Sequence, residues 1–266
     1  MDLPAENARE PVFNLPPVVL GLVAVLCFIH AMLALVLSPD TGEMILELFA
    51  FDPLRYHAGI TLELAPLPGG MAAAIWTFVT YAFFHANLTH LVFNLIWLVA
   101  FGTPVARRFG AGRFLAFFAL TAAAGAFAHL VTHWGENVPT IGASAAVLGM
   151  MAAAMRFVFQ PGGPLSLLRL SEAETYHVSA KPLGAMLRDR RTLLFVLVWF
   201  AFNALSGLRF FSMPGMEESV AWQAHVGGFV AGLLGFTLLD PVRDAPMIEI
   251  PHGSDVQGAD EETPSG

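Results

Sequence analysis

The sequence holds one cysteine, Cys27, which excludes an intrachain disulfide, and its place inside an apolar run makes it a small packing residue. Charge is also scarce, at 13% of 266 residues, where soluble domains carry about a quarter. The composition is instead 56% hydrophobic with a mean hydropathy of +0.64, which excludes an ordinary soluble domain and implies a membrane protein. The net charge of -8 does not mark a binding face, because many acids lie in the first ten residues, the first long loop and the segment after Leu239. These read as solvated ends, and nucleic acid is not an expected partner. No His-Glu-x-x-His motif occurs, so the commonest zinc-hydrolase ligand pattern is missing.

What is present is a series of apolar runs. Val18 to Leu37 supplies about twenty apolar residues, enough for a core of roughly 30 Å at 1.5 Å per residue. Ser38 to Ala74 mixes apolar patches with Asp40, Glu43, Glu47, Asp52 and Glu63 before breaking at Pro66, Pro68, Gly69 and Gly70, as suits a partly interfacial element. The aromatic stretch Ile75 to Phe84 follows. Further spans are expected at Leu88 to Val105, Phe114 to Val131, Ala143 to Phe159, Leu193 to Phe211 and Val220 to Leu239. The expected fold is all-α and polytopic. It comprises a cytoplasmic tail over 1-17, six transmembrane helices over 18-239 with the interfacial loop between helices 1 and 2, and an acidic, disordered cytoplasmic tail over 240-266.

Cytoplasmic connections collect Lys and Arg. Arg107, Arg108 and Arg113 follow span two, and Arg156, Arg169, Lys181, Arg188, Arg190 and Arg191 border or fill the connection after span four; the opposite connections hold Arg55 and Arg209. Both termini are therefore expected in the cytoplasm, with spans two, four and six starting at the outer surface. His90 and Asn94 in span two, Ser144 in span four and His225 in span six then share a stratum within about 10 Å of the outer boundary. Polar groups so buried must find partners or water. Spans four and six also carry small residues every fourth position, Ala145, Gly149 and Ala153 against Ala224, Gly228 and Gly232. Such stripes allow close helix approach, which would set Ser144 against His225. Ser144, between small residues at the mouth of an apolar run, reads as a helix cap or a nucleophile. His30 reads as a structural histidine bonded to a neighbouring helix, and His129 and His133 as water-exposed.

The stretch from Trp76 to His85, the pattern His85-Ala86-Asn87-Leu88-Thr89-His90 with Asn94, the pair Phe101-Gly102, Gly142-Ala143-Ser144, and Ala224-His225-Val226-Gly227-Gly228 together resemble the rhomboid intramembrane serine proteases. The likeness runs from about Trp76 to Gly235. It implies a rhomboid bundle in which Ser144 is the nucleophile and His225 the general base, forming a dyad without an acid. His90, Asn94 and the Ser144 N-H would form the oxyanion hole, Gly142 would supply the permissive turn, and His85 would steady the loop before the second helix through hydrogen bonds. Trp76 would anchor at the interface, and the loop Gly207 to Ser219 would cover the site.

No cofactor and no metal are implied. The implied partners are the lipid bilayer and transmembrane substrates whose helices unwind near the outer surface, with small residues at the cut. The expected location is a plasma or inner membrane, the site opening outward. Departures from the family pattern are Ala145 for a glycine, Leu148 for an aromatic residue, Ala106 for a glutamate, and Thr77 where some members have arginine. Rival readings are a rhomboid-like protein that binds transmembrane clients without cutting them, and a metal-dependent hydrolase or transporter using His85, His90 and His225.

Overall fold

A computed structural model describes residues 14–57, 67–166, 171, 174–207 and 221–242. Among them there is no β-strand, and the architecture is a bundle of helices. α1 (Pro17–Ala31) starts on a proline and runs on into a wider π-helical turn, Met32–Val36. α2 (Pro39–Phe49) is capped by Ser38, whose hydroxyl accepts the Thr41 N-H, satisfying one of the free donors of a helix start. A short 3-10 turn, Pro53–Tyr56, follows on the Asp52 side chain. α3 (Gly70–Thr80) leads through the 3-10 turn Tyr81–Phe83 to α4 (Leu88–Trp97), capped by Asn87. A π-helical turn, Leu98–Gly102, joins α4 to α5 (Thr103–Thr132). α6 (Ser144–Ala154), the single turn α7 (Leu183–Met186), α8 (Arg190–Gly207) and α9 (Trp222–Leu239) complete the order.

Among the described residues, three helical runs are long and apolar enough to cross a membrane: Pro17–Val36, Leu88–Thr132 and Trp222–Leu239. Shorter apolar helices cover Gly70–Phe83, Ser144–Ala154 and Thr192–Ala201. The 45 residues of Leu88–Thr132 would measure about 68 Å if straight, more than twice a bilayer core of roughly 30 Å. They are not straight. Gly110 adopts φ 73° and ψ 167°, and the Phe109 and Phe117 rings meet at 5.4 Å, where a continuous helix would hold residues eight apart at about 12 Å. The chain therefore folds back at Gly110, and the second and third expected spans form an antiparallel pair.

Several expectations are corrected. Spans two and three have no connecting loop beyond the Gly110 break. The fourth helix is Ser144–Ala154, not Ala143 to Phe159. It ends where Arg156 turns into the protein, giving its Nε-H to the Lys181 carbonyl and its Nη1-H to that of Leu233. Gly70–Thr80 is helical, where an interfacial loop was read as far as Ala74. Cys27 is exposed on α1 rather than packed. His129 is buried at 2% exposure and pairs with the Val138 carbonyl at 2.9 Å, because the chain after α5 folds back over it. His30 Nδ1 is buried without a hydrogen-bond partner among the described residues, so the expected bond to a neighbouring helix is not made by that atom. Asp240, read as the first residue of the tail, is buried and receives both the Nε-H and an Nη2-H of Arg108, at 2.8 and 2.9 Å. Arg108 also donates to the carbonyls of Tyr176 and Val178 and lies over the Phe157 ring. This closes the base of α5 against the end of α9. The rest of the tail from residue 243, the first 13 residues and the loop 208–220 lie outside the described residues.

The core is a three-helix seam. On α6, every residue from Ala145 to Ala154 is buried, because its neighbours approach at backbone distance. A Cβ added to Gly228 would lie 2.1 Å from the Ala145 carbonyl oxygen, and one on Gly232 would lie 2.3 Å from that of Gly149. The stripes of spans four and six thus interlock. α5 closes the third side: a Cβ on Gly149 would meet the Thr121 side chain at 2.4 Å, and one on Gly227 the Ala124 carbonyl oxygen at 2.5 Å.

Candidate active site

Ser144 sits at the first position of α6, preceded by a segment held at two points. Phe51 and Thr140 exchange backbone hydrogen bonds of 3.1 and 2.8 Å, and the Gly142 N-H donates to the Tyr81 carbonyl at 3.0 Å. Gly142 adopts φ 125°, and a Cβ there would lie 2.7 Å from His90 Nε2. Glycine is required twice over, by the backbone conformation and by the approach of the imidazole. The helix cap is Ala143, with no side-chain cap bond. The serine hydroxyl faces elsewhere.

It faces His225. The two residues are 81 positions apart in the chain, yet Ser144 Oγ and His225 Nε2 are 2.7 Å apart. His225 lies one turn into α9 and is 8% exposed. The seam carries this pairing, because Ala145 and Ala224, the chain neighbours of the two groups, both pack on Gly125 of α5. A Cβ on Gly125 would be 2.5 Å from Ala145 Cβ and 2.9 Å from the Ala224 carbonyl oxygen. Leu148, one turn beyond Ser144, is 2% exposed and joins Phe229, one turn beyond His225, in a second apolar cluster with Met151 and Met155.

The remaining expected residues gather on the α4 side. Asn87 Oδ1 accepts the His90 N-H at 2.9 Å, and Asn94 Nδ2 donates to the His90 carbonyl at 2.9 Å. Asn94 is buried, and its amide is thus engaged with its own helix. The His85 and His90 rings meet edge to face, 5.1 Å between centroids. His85, in the turn before α4, is buried with neither ring nitrogen bonded among the described residues. Among the described residues, the expected hydrogen bonds from this histidine are not made. Burial, with His90 and His30 nearby, pulls its imidazole down to about 3, so it is neutral in the physiological range. Among the described residues no set of three His, Cys, Asp or Glu side chains is grouped to hold a metal ion.

On α3, Trp76 gives its indole N-H to the Leu48 carbonyl, tying α3 to α2, and Thr77 bonds the Ala73 carbonyl and the Tyr56 hydroxyl. Ala106 is buried at the base, beside Arg108. The loop Gly207 to Ser219 lies, beyond its first residue, outside the described residues. Sequence reading missed Phe51, Tyr81 and Thr140, which pin the approach to Ser144, and the α5 face of Thr121, Gly125 and Ala128. The α5 face had a signal, since Thr121 and Gly125, and Ala124 and Ala128, repeat every fourth position like the two stripes that were noticed.

The match to a family model, the Rhomboid domain, covers residues 72–241. Among curated proteins the chain is similar to the Rhomboid protease GlpG of Pectobacterium atrosepticum, 26% identical over 189 residues, or 71% of this chain and 57% of that one. It is similar to the protein of the same name from Serratia proteamaculans, 25% identical over 218 residues, 82% of this chain and 61% of the relative. The one from Yersinia pseudotuberculosis is 28% identical over 160 residues, 60% of this chain and 46% of its own length. The chain thus spans about half to three-fifths of the length of these relatives.

Proposed function

The chain belongs to the rhomboid family and is an integral membrane protein, and from that premise we propose that it is an intramembrane serine endopeptidase acting through Ser144 and His225. The observation that carries this reading is the 2.7 Å approach of Ser144 Oγ to His225 Nε2 at the rim of a seam of small residues. A serine hydroxyl is a poor nucleophile unless a neighbouring base accepts its proton, and that distance is within hydrogen-bond reach. His225 Nε2 takes the proton as Oγ bonds to the substrate carbonyl carbon. The imidazolium returns it to the leaving amine as the C-N bond breaks, and the sequence repeats with water to free the acid and Ser144.

The tetrahedral oxyanion needs donors already in place. The N-H of Ser144, at a helix start with free N-H groups, is one. His90, against Gly142, is the second. Asn94 is the third: one N-H is bonded to the His90 carbonyl, and an amide nitrogen carries another. Gly142 provides the turn, and His85 supports His90 by ring contact.

The helices make six crossings in this reading: α1, α4 with α5 as far as Phe109, α5 beyond Gly110, α6, α8 and α9. Both termini are cytoplasmic, by the Arg and Lys distribution, in a plasma or inner membrane. The site then opens to the outer side, and substrates are transmembrane proteins whose helix unwinds near that surface, since a peptide bond in a regular helix is hydrogen-bonded and shielded.

The test is reconstitution with a generic single-span substrate, with fluorophosphonate labelling alongside. Wild type is expected to cut and to be labelled, and Ser144→Ala and His225→Ala are each expected to lose at least about a thousandfold in turnover. Equal cleavage by all three excludes the dyad. A folded wild type that binds the substrate without cleavage or labelling favours the client-binding reading instead.

A further inference from the structure

Tyr81 is 2% exposed, and no step of the proposed reaction uses it. Besides the local bond from the Phe84 N-H, it makes two long-range hydrogen bonds, to two different elements, on either side of the proposed reacting groups. Its carbonyl accepts the Gly142 N-H at 3.0 Å, two residues before Ser144. Its hydroxyl donates to the Ala122 carbonyl of α5 at 2.9 Å. A mid-helix carbonyl already has a helical partner and takes a second donor only because its oxygen has two lone pairs. The bond is therefore optional for α5, and its consequence is one of position.

That position is where the two halves of the site meet. At Gly125, three residues beyond Ala122, an added Cβ would lie 2.5 Å from Ala145 Cβ, 2.9 Å from the Ala224 carbonyl oxygen and 3.0 Å from the Tyr81 hydroxyl. The phenol thus ends at the point where α5, α6 and α9 are in contact. Its two helical neighbours there, Ala145 and Ala224, directly adjoin Ser144 and His225. The Tyr81 ring is itself held: Phe51, which bonds Thr140, packs against it at 6.1 Å. One residue therefore fixes both the turn that delivers the serine and the height at which α5 receives the neighbours of the serine and the histidine.

We propose that Tyr81 is a positioning residue for the dyad, setting the separation of Ser144 Oγ and His225 Nε2 through its carbonyl bond to Gly142 and its hydroxyl bond to α5. Its effect on rate rests on the protease reading above; its effect on the His225 ring does not. Displacements of about 1 Å at a reacting pair cost up to a hundredfold in rate, so losing one of two tethers is felt at the chemical step and not in substrate binding.

Tyr81→Phe removes the hydroxyl and keeps the ring and the backbone bond. The deciding measurement is the imidazole nitrogen resonances of His225 in ring-labelled protein in lipid bilayers, with Ser144→Ala giving the signal of a His225 that has lost its partner and with His57 and His177 as fold controls. The His225 signal of Tyr81→Phe is expected to move toward that of Ser144→Ala while the control signals stay put. kcat is expected to fall about tenfold at unchanged KM. A His225 signal superimposable on wild type overturns the proposal. Should Tyr81→Phe not fold, 3-fluorotyrosine in place of tyrosine, which alters the donor strength of the phenol and nearly keeps its shape, decides in its place, and a His225 signal superimposable on wild type again overturns the proposal. If the His225 signal moves while wild type cleaves nothing, the positioning role stands and the protease reading falls.

Discussion

Helix α6 buries all ten residues from Ala145 to Ala154, whereas α8, seven residues longer at 18, presents Leu194, Leu197 and Val198 outward at 62%, 66% and 60% exposure. Both are apolar and both belong to a membrane protein, but they meet different solvents. α6 is about 16 Å long, shorter than a bilayer core of roughly 30 Å, and is enclosed by α5 and α9. Its side chains are mostly Ala, Gly and Met, so contact occurs at backbone distance, and small residues are how membrane helices reach it. α8 is built from Leu, Phe, Val and Trp. Among its described residues, Val196, Trp199 and Phe200 pack against the second apolar cluster, with Trp199 edge-on to Trp97 and Phe200 edge-on to Phe229. The proposed nucleophile, Ser144, stands at the start of the enclosed helix, where position is most tightly determined. An aromatic-edged helix carrying no reacting group is free to be held loosely.

The contrast is broken most severely within the seam. Gly228→Val places a branched side chain where even a Cβ would be 2.1 Å from the Ala145 carbonyl oxygen. That obstacle is backbone, so α6 and α9 must separate. The expected loss of stability is at least about 3 kcal/mol, the upper end of overpacking costs, with Ser144 and His225 parted and labelling of Ser144 abolished. Thermal unfolding in detergent and fluorophosphonate labelling measure both. A variant of wild-type stability would mean that the seam is not close-packed.

Next in size is the clasp below the seam. Asp240→Ala leaves the Arg108 guanidinium, whose side chain has no exposed surface, without its carboxylate. Breaking a buried pair by removing one partner costs about 3 kcal/mol or somewhat more; two backbone carbonyls and the Phe157 face remain to Arg108, so we expect about 2 to 3 kcal/mol by thermal unfolding. Asp240→Ala with Arg108→Leu should recover part of that loss, since an apolar replacement of a buried pair is often neutral. No recovery in the double variant would show that the carbonyl contacts of Arg108, not the ion pair, close the base.

These cases mark what the sequence made legible. The small-residue stripes of spans four and six were readable because a period of four survives in one dimension, and their interlock follows from it. The third side of the seam was equally periodic on α5 but had no polar landmark to draw attention to it. Gly125 also accommodates Ala145, whose methyl group points at a position where α5 carries none. Asp240 was assigned to an acidic tail because an isolated carboxylate at the end of an apolar run looks the same whether it meets water or a buried arginine 132 positions away. The Phe51–Thr140 bridge and the Gly142–Tyr81 bond join backbone groups, and a residue's identity says nothing about its carbonyl; the Tyr81 hydroxyl bond ends on a backbone carbonyl 41 positions away. The fold-back at Gly110, by contrast, was legible, since the expected spans end at Val105 and resume at Phe114 on either side of it.

The smallest effect is expected on α8, and it tests the comparison from its other side. Leu197 is 66% exposed, and in the proposed six-crossing arrangement its neighbours are acyl chains as apolar as itself, so truncation neither exposes hydrophobic surface to water nor opens a protein cavity. Leu197→Ala should therefore shift stability by less than about 0.5 kcal/mol and leave Ser144 labelling unchanged. Trp199→Ala, on the inward stripe of the same helix, removes the ring that meets Trp97 at 4.8 Å and should cost about 1 kcal/mol or more, from the aromatic pair and the packing it organises. Thermal unfolding of the two variants in the same lipid gives the difference directly. If Leu197→Ala instead loses 2 kcal/mol or more, in the range of a core leucine, then the outward face of α8 is covered by protein and not by lipid. The distinction between an enclosed helix and a loosely held one would then fail on the side of α8, while the packing of α6 would stand unaltered.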